Sequence, residues 1–184
     1  EEKSINLFLD DYIFGDDFAG ERDKLVINML YQTGIRRSEL TGLTLDAVDI
    51  AGGQIRVLGK RSKERIIPVG RELSDAIQGY LKRRDEQFPG VSSEALLLTD
   101  AGKPVYPKLI YRIVNKYIGM ISTLEKTSPH ILRHTFATHM LNNGADLNAI
   151  KEILGHANLS ATQVYTHNTF EKLKSIYNQA HPRA

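Results

Sequence analysis

The chain reads as an α+β domain, mainly α-helical, with one small antiparallel β-sheet. Three patterns carry that reading. Leu109, Ile110, Ile113, Val114, Tyr117 and Ile118 recur at helical spacing. QIRVLGKRSKERIIPV sets two extended runs around a polar turn at Gly59 to Lys63, which predicts a hairpin. From Ser128 to Gly155, cap residues open and close two helices in succession. No internal repeat or low-complexity tract interrupts the chain, so residues 1–184 are expected to form a single domain.

Each element has a local cause. Leu25, Met29 and Leu30 form an apolar stripe that ends at Thr33-Gly34, where glycine takes the left-handed conformation that closes a helix. Arg36 opens a second, short helix, RRSELTGL. Gly52-Gly53 divides two extended stretches, so the sheet is expected between about residues 45 and 70, with Lys60 on its projecting loop. Leu73, Ile77, Tyr80 and Leu81 mark an amphipathic helix that Phe88-Pro89-Gly90 terminates. The apolar run Leu96-Leu97-Leu98 precedes the turn TDAGKP.

The C-terminal third is the best punctuated. Ser128 is a good N-cap and Pro129 suits the first helical position, which sets His130 and Arg133 on one face of the first turns. That helix closes at Asn143-Gly144. Asp146 caps the next, which closes at Gly155 and leaves His156 just beyond its end. Ser160 and Gln163 form a capping box for a helix carrying Tyr165. Met140, Leu141, Ile150, Ile153 and Leu154 are expected in the core, His139 on another face than His130, and His167 and His181 at the surface. The segment TFEKLKSIYNQAHPRA sets Phe170, Leu173 and Ile176 at helical spacing.

Composition narrows the chemistry. With 184 residues, 41% of them hydrophobic, the chain can bury a core without staples. It has no cysteine, which excludes disulfides, thiolate zinc sites and cysteine nucleophiles. No apolar run approaches the ~20 residues that span a bilayer, and EEKSINLF lacks the basic start of a secretory signal; the expected location is cytoplasmic. Net charge is only +2, from 24 basic and 22 acidic residues, but basic residues cluster at Arg36-Arg37, from Lys60 to Arg65, at Lys82-Arg83-Arg84 and along Lys108, Arg112 and Lys116. Such clusters are either solvated faces or footprints for a polyanion.

His130, Arg133, His156 and Tyr165 fall within one stretch, without an acidic cluster among them. Imidazoles, a guanidinium and a phenol suit attack on an anion, and a phosphoester in particular, better than attack on a carbonyl. A phenol titrates near ~10, so it needs nearby cations or a base before it is a good nucleophile.

TGIRRSEL, VLGKRSKERIIPV, SPHILRHTFATH, LGHANLSATQVYTH and the terminal HPRA closely resemble the catalytic domain of tyrosine recombinases of the Xer and phage-integrase type, from about Asp17 to the end of the chain. The resemblance implies that family's catalytic-domain fold and a site-specific DNA recombinase that cleaves and rejoins strands through a covalent 3′-phosphotyrosine, without metal or ATP. It implies Arg36 as the first catalytic arginine, Lys60 as the hairpin lysine, His130 and Arg133 as the HxxR pair, His156 as the third element and Tyr165 as the nucleophile. Arg37, Arg61, Lys63 and Arg65 become candidate DNA contacts. The partners implied are double-stranded DNA and further protomers, four on two DNA sites; no cofactor and no membrane are expected. The family's N-terminal DNA-clamping domain is expected to be absent from this chain. The C-terminal segment docks on its own domain or, as in related recombinases, on a neighbouring protomer.

Other readings share parts of the pattern. A topoisomerase-like or hairpin-resolving enzyme would use the same chemistry. A DNA-binding module would use only the cations, and a metal-dependent phosphoesterase would use the histidines. His130 and His134 have zinc-compatible spacing, but Arg133 would set like charge beside the metal.

Overall fold

A computed structural model describes residues 13–59, 63–121, 128–156 and 167–184. Helices α1 (Phe18–Thr33) and α2 (Arg37–Thr41) lead to strands β1 (Val48–Asp49), β2 (Gln54–Leu58) and β3 (Glu64–Pro68). Helices α3 (Arg71–Gln87), α4 (Pro107–Ile121), α5 (Pro129–Asn142), α6 (Leu147–Leu154) and α7 (His167–Ala180) follow. This is the mainly helical α+β arrangement the sequence predicts.

Helix α1 is the central element. The Asp17 side chain accepts from Gly20 N at 2.8 Å and fixes its start. At its end Gly34 stands at φ 61°, its N–H returning to the Leu30 carbonyl. Leu25, Val26, Ile27, Met29, Leu30 and Tyr31 are all buried, so the helix is enclosed on nearly every side rather than along one stripe. It packs against α3, α5 and α4. Each such buried aliphatic side chain contributes about 1.5 to 3 kcal/mol.

The sheet is antiparallel in the order β1-β2-β3, with Ile55 opposite Ile67 and Val57 opposite Arg65. Alternation puts Ile55, Val57 and Ile67 on the core face, and with them Arg65, only 5% exposed. An arginine at an inward position of a short hairpin requires partners, and it has them at the site described below.

Helix α7 lies on its own chain. Phe170, Leu173, Tyr177 and Ala180 are buried, and Ile176 packs partly buried against the same core. The Tyr177 hydroxyl donates to the Gln32 carbonyl at 3.0 Å, and Asn143 Nδ2 donates to the Ala180 carbonyl at 2.8 Å. Beyond the helix, Arg183 grips Glu72 through Nε at 2.6 and 2.8 Å.

Two expectations are corrected here. His181, expected at the surface, is 4% exposed, because the tail folds inward and stacks the imidazole on Tyr177 at 5.1 Å between ring centres, with Phe136 and Tyr31 alongside. Leu141, expected in the core, is 44% exposed, since the turn of α5 gives the inward positions to Met140 and His139. His139 in turn meets the Tyr31 hydroxyl through Nδ1 at 3.0 Å.

Candidate active site

The site forms where the ends of three elements meet: the α1–α2 junction, the first turns of α5 and the C-terminus of α6. Gly34 turns the chain so that Arg36 caps α2. Glu39, in the first turn of α2, reaches back to accept from Arg36 N at 2.9 Å and from Arg36 Nη1 at 2.8 Å. The other arm of Arg36 donates to the Gly155 carbonyl at 2.9 Å.

Arg133, one turn into α5, donates through Nη1 to the Gly34 carbonyl and through Nη2 to the Leu154 carbonyl at 2.7 Å. Arg65 comes up from β3, donating through Nε to the Ile153 carbonyl at 2.7 Å and gripping Glu39 with Nη1 and Nη2 at 2.7 and 2.9 Å. The successive carbonyls of Ile153, Leu154 and Gly155 thus each receive a different arginine. A helix C-terminus leaves carbonyls unpaired and carries partial negative charge, so this is where guanidinium groups are held most readily.

The same helix end orients His156. Gly155 takes φ 67°, its N–H returning to the Glu152 carbonyl, and His156 N–H returns to Lys151 at 3.0 Å. His156 leaves this turn exposed. A side chain at Gly155 would be strained, because φ is 67° and its Cβ would lie 3.0 Å from the Arg65 guanidinium, which would have to shift.

Three guanidinium groups face one carboxylate, which leaves the cluster cationic. Burial, then the charges of Arg36 and Arg65, pull the Arg133 pKa down to about 10, with Glu39 opposing. Partial burial, followed by the charges of Arg133, Arg36, Lys151 and Arg65, lowers the pKa of His156, so its imidazole favours the neutral form. For Glu39 burial acts upward, but the hydrogen bonds and charge of Arg65 and then Arg36 outweigh it and hold the pKa below the ordinary range. The guanidinium groups of Arg36 and Arg133 carry more N–H donors than these bonds use, which suits them to an oxyanion.

The structure thus brings Arg36, Arg133 and His156 together. His130 is exposed in the first turn of α5, three positions before Arg133. Arg37 and Lys63 are exposed, as a contact to a polyanion requires. Arg65 is turned inward and engaged with Glu39 and Ile153 instead. Lys60, Arg61 and Tyr165 lie outside the described residues, as do Ser160 and Gln163. Glu39 was not singled out from the sequence; its place three residues after Arg36, at a helix start, is the signal of a carboxylate that reaches back to the cap. Arg65 was expected to contact DNA; its strand alternation with the buried Ile67 is the signal that it points inward.

The model of the phage integrase family matches residues 2–172. The tyrosine recombinase XerC of Pelobacter propionicus is 47% identical over 165 residues, which is 90% of this chain and 54% of that protein. XerC of Chlorobaculum tepidum is 42% identical over 91% of the chain and 51% of its own length. Among solved structures, XerA recombinase superposes with a TM-score of 0.76 at 29% identity, over all of this chain and 65% of that one. XerH site-specific recombinase bound to a palindromic difH substrate gives 0.74 at 26% identity, over 95% of this chain and 51% of that one. The chain belongs to the phage integrase family, the tyrosine recombinases. It spans about half the length of the XerC proteins it matches.

Proposed function

We propose that residues 1–184 are the catalytic domain of a site-specific DNA recombinase. Tyr165 attacks a backbone phosphorus; the bond from its phenolic oxygen to phosphorus forms as the bond to the 5′ oxygen breaks, leaving a 3′-phosphotyrosine. Arg36 and Arg133 hold the non-bridging oxygens, and such oriented donors each contribute about 3 to 4 kcal/mol to a transition state. Neutral His156 accepts a hydrogen bond or proton from the attacking phenol, and His130 donates to the phosphate. Lys60, which follows β2 in the sequence, delivers a proton to the leaving 5′ oxygen. The phosphotyrosine conserves the energy of the broken linkage, so a 5′ hydroxyl reverses the step without ATP. Double-stranded DNA is the substrate, and four protomers act on two sites.

The observation that carries this reading is the cationic cluster at the end of α6, where Arg36 and Arg133 are fixed within reach of one anion by adjacent carbonyls. XerH, a relative in fold, is bound to its difH substrate in its structure. A duplex nicked near the cleavage site tests it. Incubation in EDTA should trap a covalent protein–DNA adduct that Tyr165→Phe abolishes. Retained binding with no adduct would make the chain a DNA-binding module, and hydrolysis dependent on metal would make it a phosphoesterase.

A further inference from the structure

Arg65 belongs to neither the attacking nor the phosphate-holding groups, yet it is the most enclosed cation of the site, at 5% exposure. Its guanidinium joins three segments. Nε holds the Ile153 carbonyl at the end of α6, the two Nη atoms hold Glu39 in α2, and its backbone belongs to β3, opposite Val57 in the hairpin. Glu39 passes that anchorage on to Arg36 through both the backbone N–H and Nη1. Gly155 lies so close that a Cβ there would touch Arg65, and at Gly59, the last described residue before Lys60, a Cβ would lie 3.7 Å from Arg65 Nη1.

We propose that Arg65 is a positioning residue for DNA cleavage: through Glu39 and the Ile153 carbonyl it locks Arg36, the His156 turn and the base of the Lys60 hairpin in one fixed arrangement. The proposal rests on the function proposed above. Bidentate pairing to Glu39 with a third bond from Nε needs the planar fork of arginine; lysine supplies the charge but not the geometry. Displacement of about 1 Å among reacting groups costs on the order of 100-fold in rate. The arrangement also explains why a charge is kept on the inner face of a hairpin, where an apolar residue would pack more simply.

The test compares the full chain with Arg65→Lys, Arg65→Met and the double variant Arg65→Met with Glu39→Gln, which leaves no buried carboxylate unpaired. Adduct formation on the nicked duplex, DNA affinity and the NMR titration of His156 are read for each. We expect adduct formation to fall by about 10- to 100-fold in all three, with DNA affinity within about threefold. The His156 midpoint should rise in Arg65→Met, which loses a facing cation while Arg133, Arg36 and Lys151 remain, and stay near the parent value in Arg65→Lys. Parent-like cleavage by the folded double variant, or full rescue by Arg65→Lys, would overturn the proposal. A parent chain that forms no adduct would overturn the recombinase reading instead, while an unmoved His156 titration in Arg65→Met would still count against Arg65 on its own.

Discussion

Arg133 Nη2 donates to the Leu154 carbonyl at 2.7 Å, tying the start of α5 to the end of α6, two residues before His156. One guanidinium therefore both closes a helix end and presents its remaining donors to the site. Arg36 does the same at the next carbonyl, Gly155. The arrangement makes the two arginines fixed rather than mobile charges, which is what transition-state stabilisation requires.

Replacing either should consequently harm chemistry more than binding. For Arg133→Lys the charge stays, but the paired bonds to Gly34 and Leu154 do not. Single-turnover cleavage should drop by about 100- to 1,000-fold, while DNA affinity changes by less than about tenfold. Arg36→Ala should behave alike. Parallel losses in cleavage and affinity would mean that these arginines only seat the DNA.

Gly34 predicts a stability effect at the same junction. Its φ of 61° disfavours any other L-residue, and a Cβ would sit 2.7 Å from Phe136 Cδ1 and against Leu154. Left-handed strain of about 1 to 2 kcal/mol and overpacking of about 1 to 3 kcal/mol should together make Gly34→Ala costly, by about 2 to 5 kcal/mol. Urea unfolding measures it; a loss under about 1 kcal/mol would show that the backbone relaxes freely there.

Salt dependence separates surface cations from built-in ones. Arg37 and Lys63 are exposed and outside the carbonyl network. If each contacts a phosphate, Arg37→Ala and Lys63→Ala should each lower the slope of log affinity against log salt by about 0.9. Unchanged slopes would assign both to ordinary solvated surface.

The local elements were legible because their signals are local. Gly34 and Gly155 close helices in the left-handed region, Asp146 caps α6, and the hairpin pairs Gln54–Leu58 with Glu64–Pro68. What escaped was decided by partners distant in sequence. Arg65 belongs by composition to a basic loop, yet the nearby Glu39 carboxylate and a helix-end carbonyl make burial affordable. His181 is polar and near a terminus, but aromatic rings from α1, α5 and α7 converge on it. Leu141 shows the converse: an apolar residue whose helix rotates it outward once Met140 takes the core position.

The buried tail makes stability depend on pH in a definite direction. Burial, opposed by a backbone hydrogen bond at Tyr31 and aided by the charges of His139 and Arg183, lowers His181 from 6.5 to about 4. The unfolded chain thus takes up this proton near pH 6.5, the folded chain only near pH 4. Between those values the unfolded state holds more protons, so stability is fully present above pH 6.5 and is lost as pH falls, the loss being complete below about 4. From about pH 7.5 to about pH 5 this one group should remove about 2 kcal/mol. His181→Phe keeps a ring among Tyr31, Phe136 and Tyr177 but removes the proton site. Urea unfolding at the two pH values should therefore show the parent losing about 2 kcal/mol more than the variant. Equal losses would mean that the imidazole reaches water in the folded chain and that the Arg183–Glu72 closure does not seal the tail.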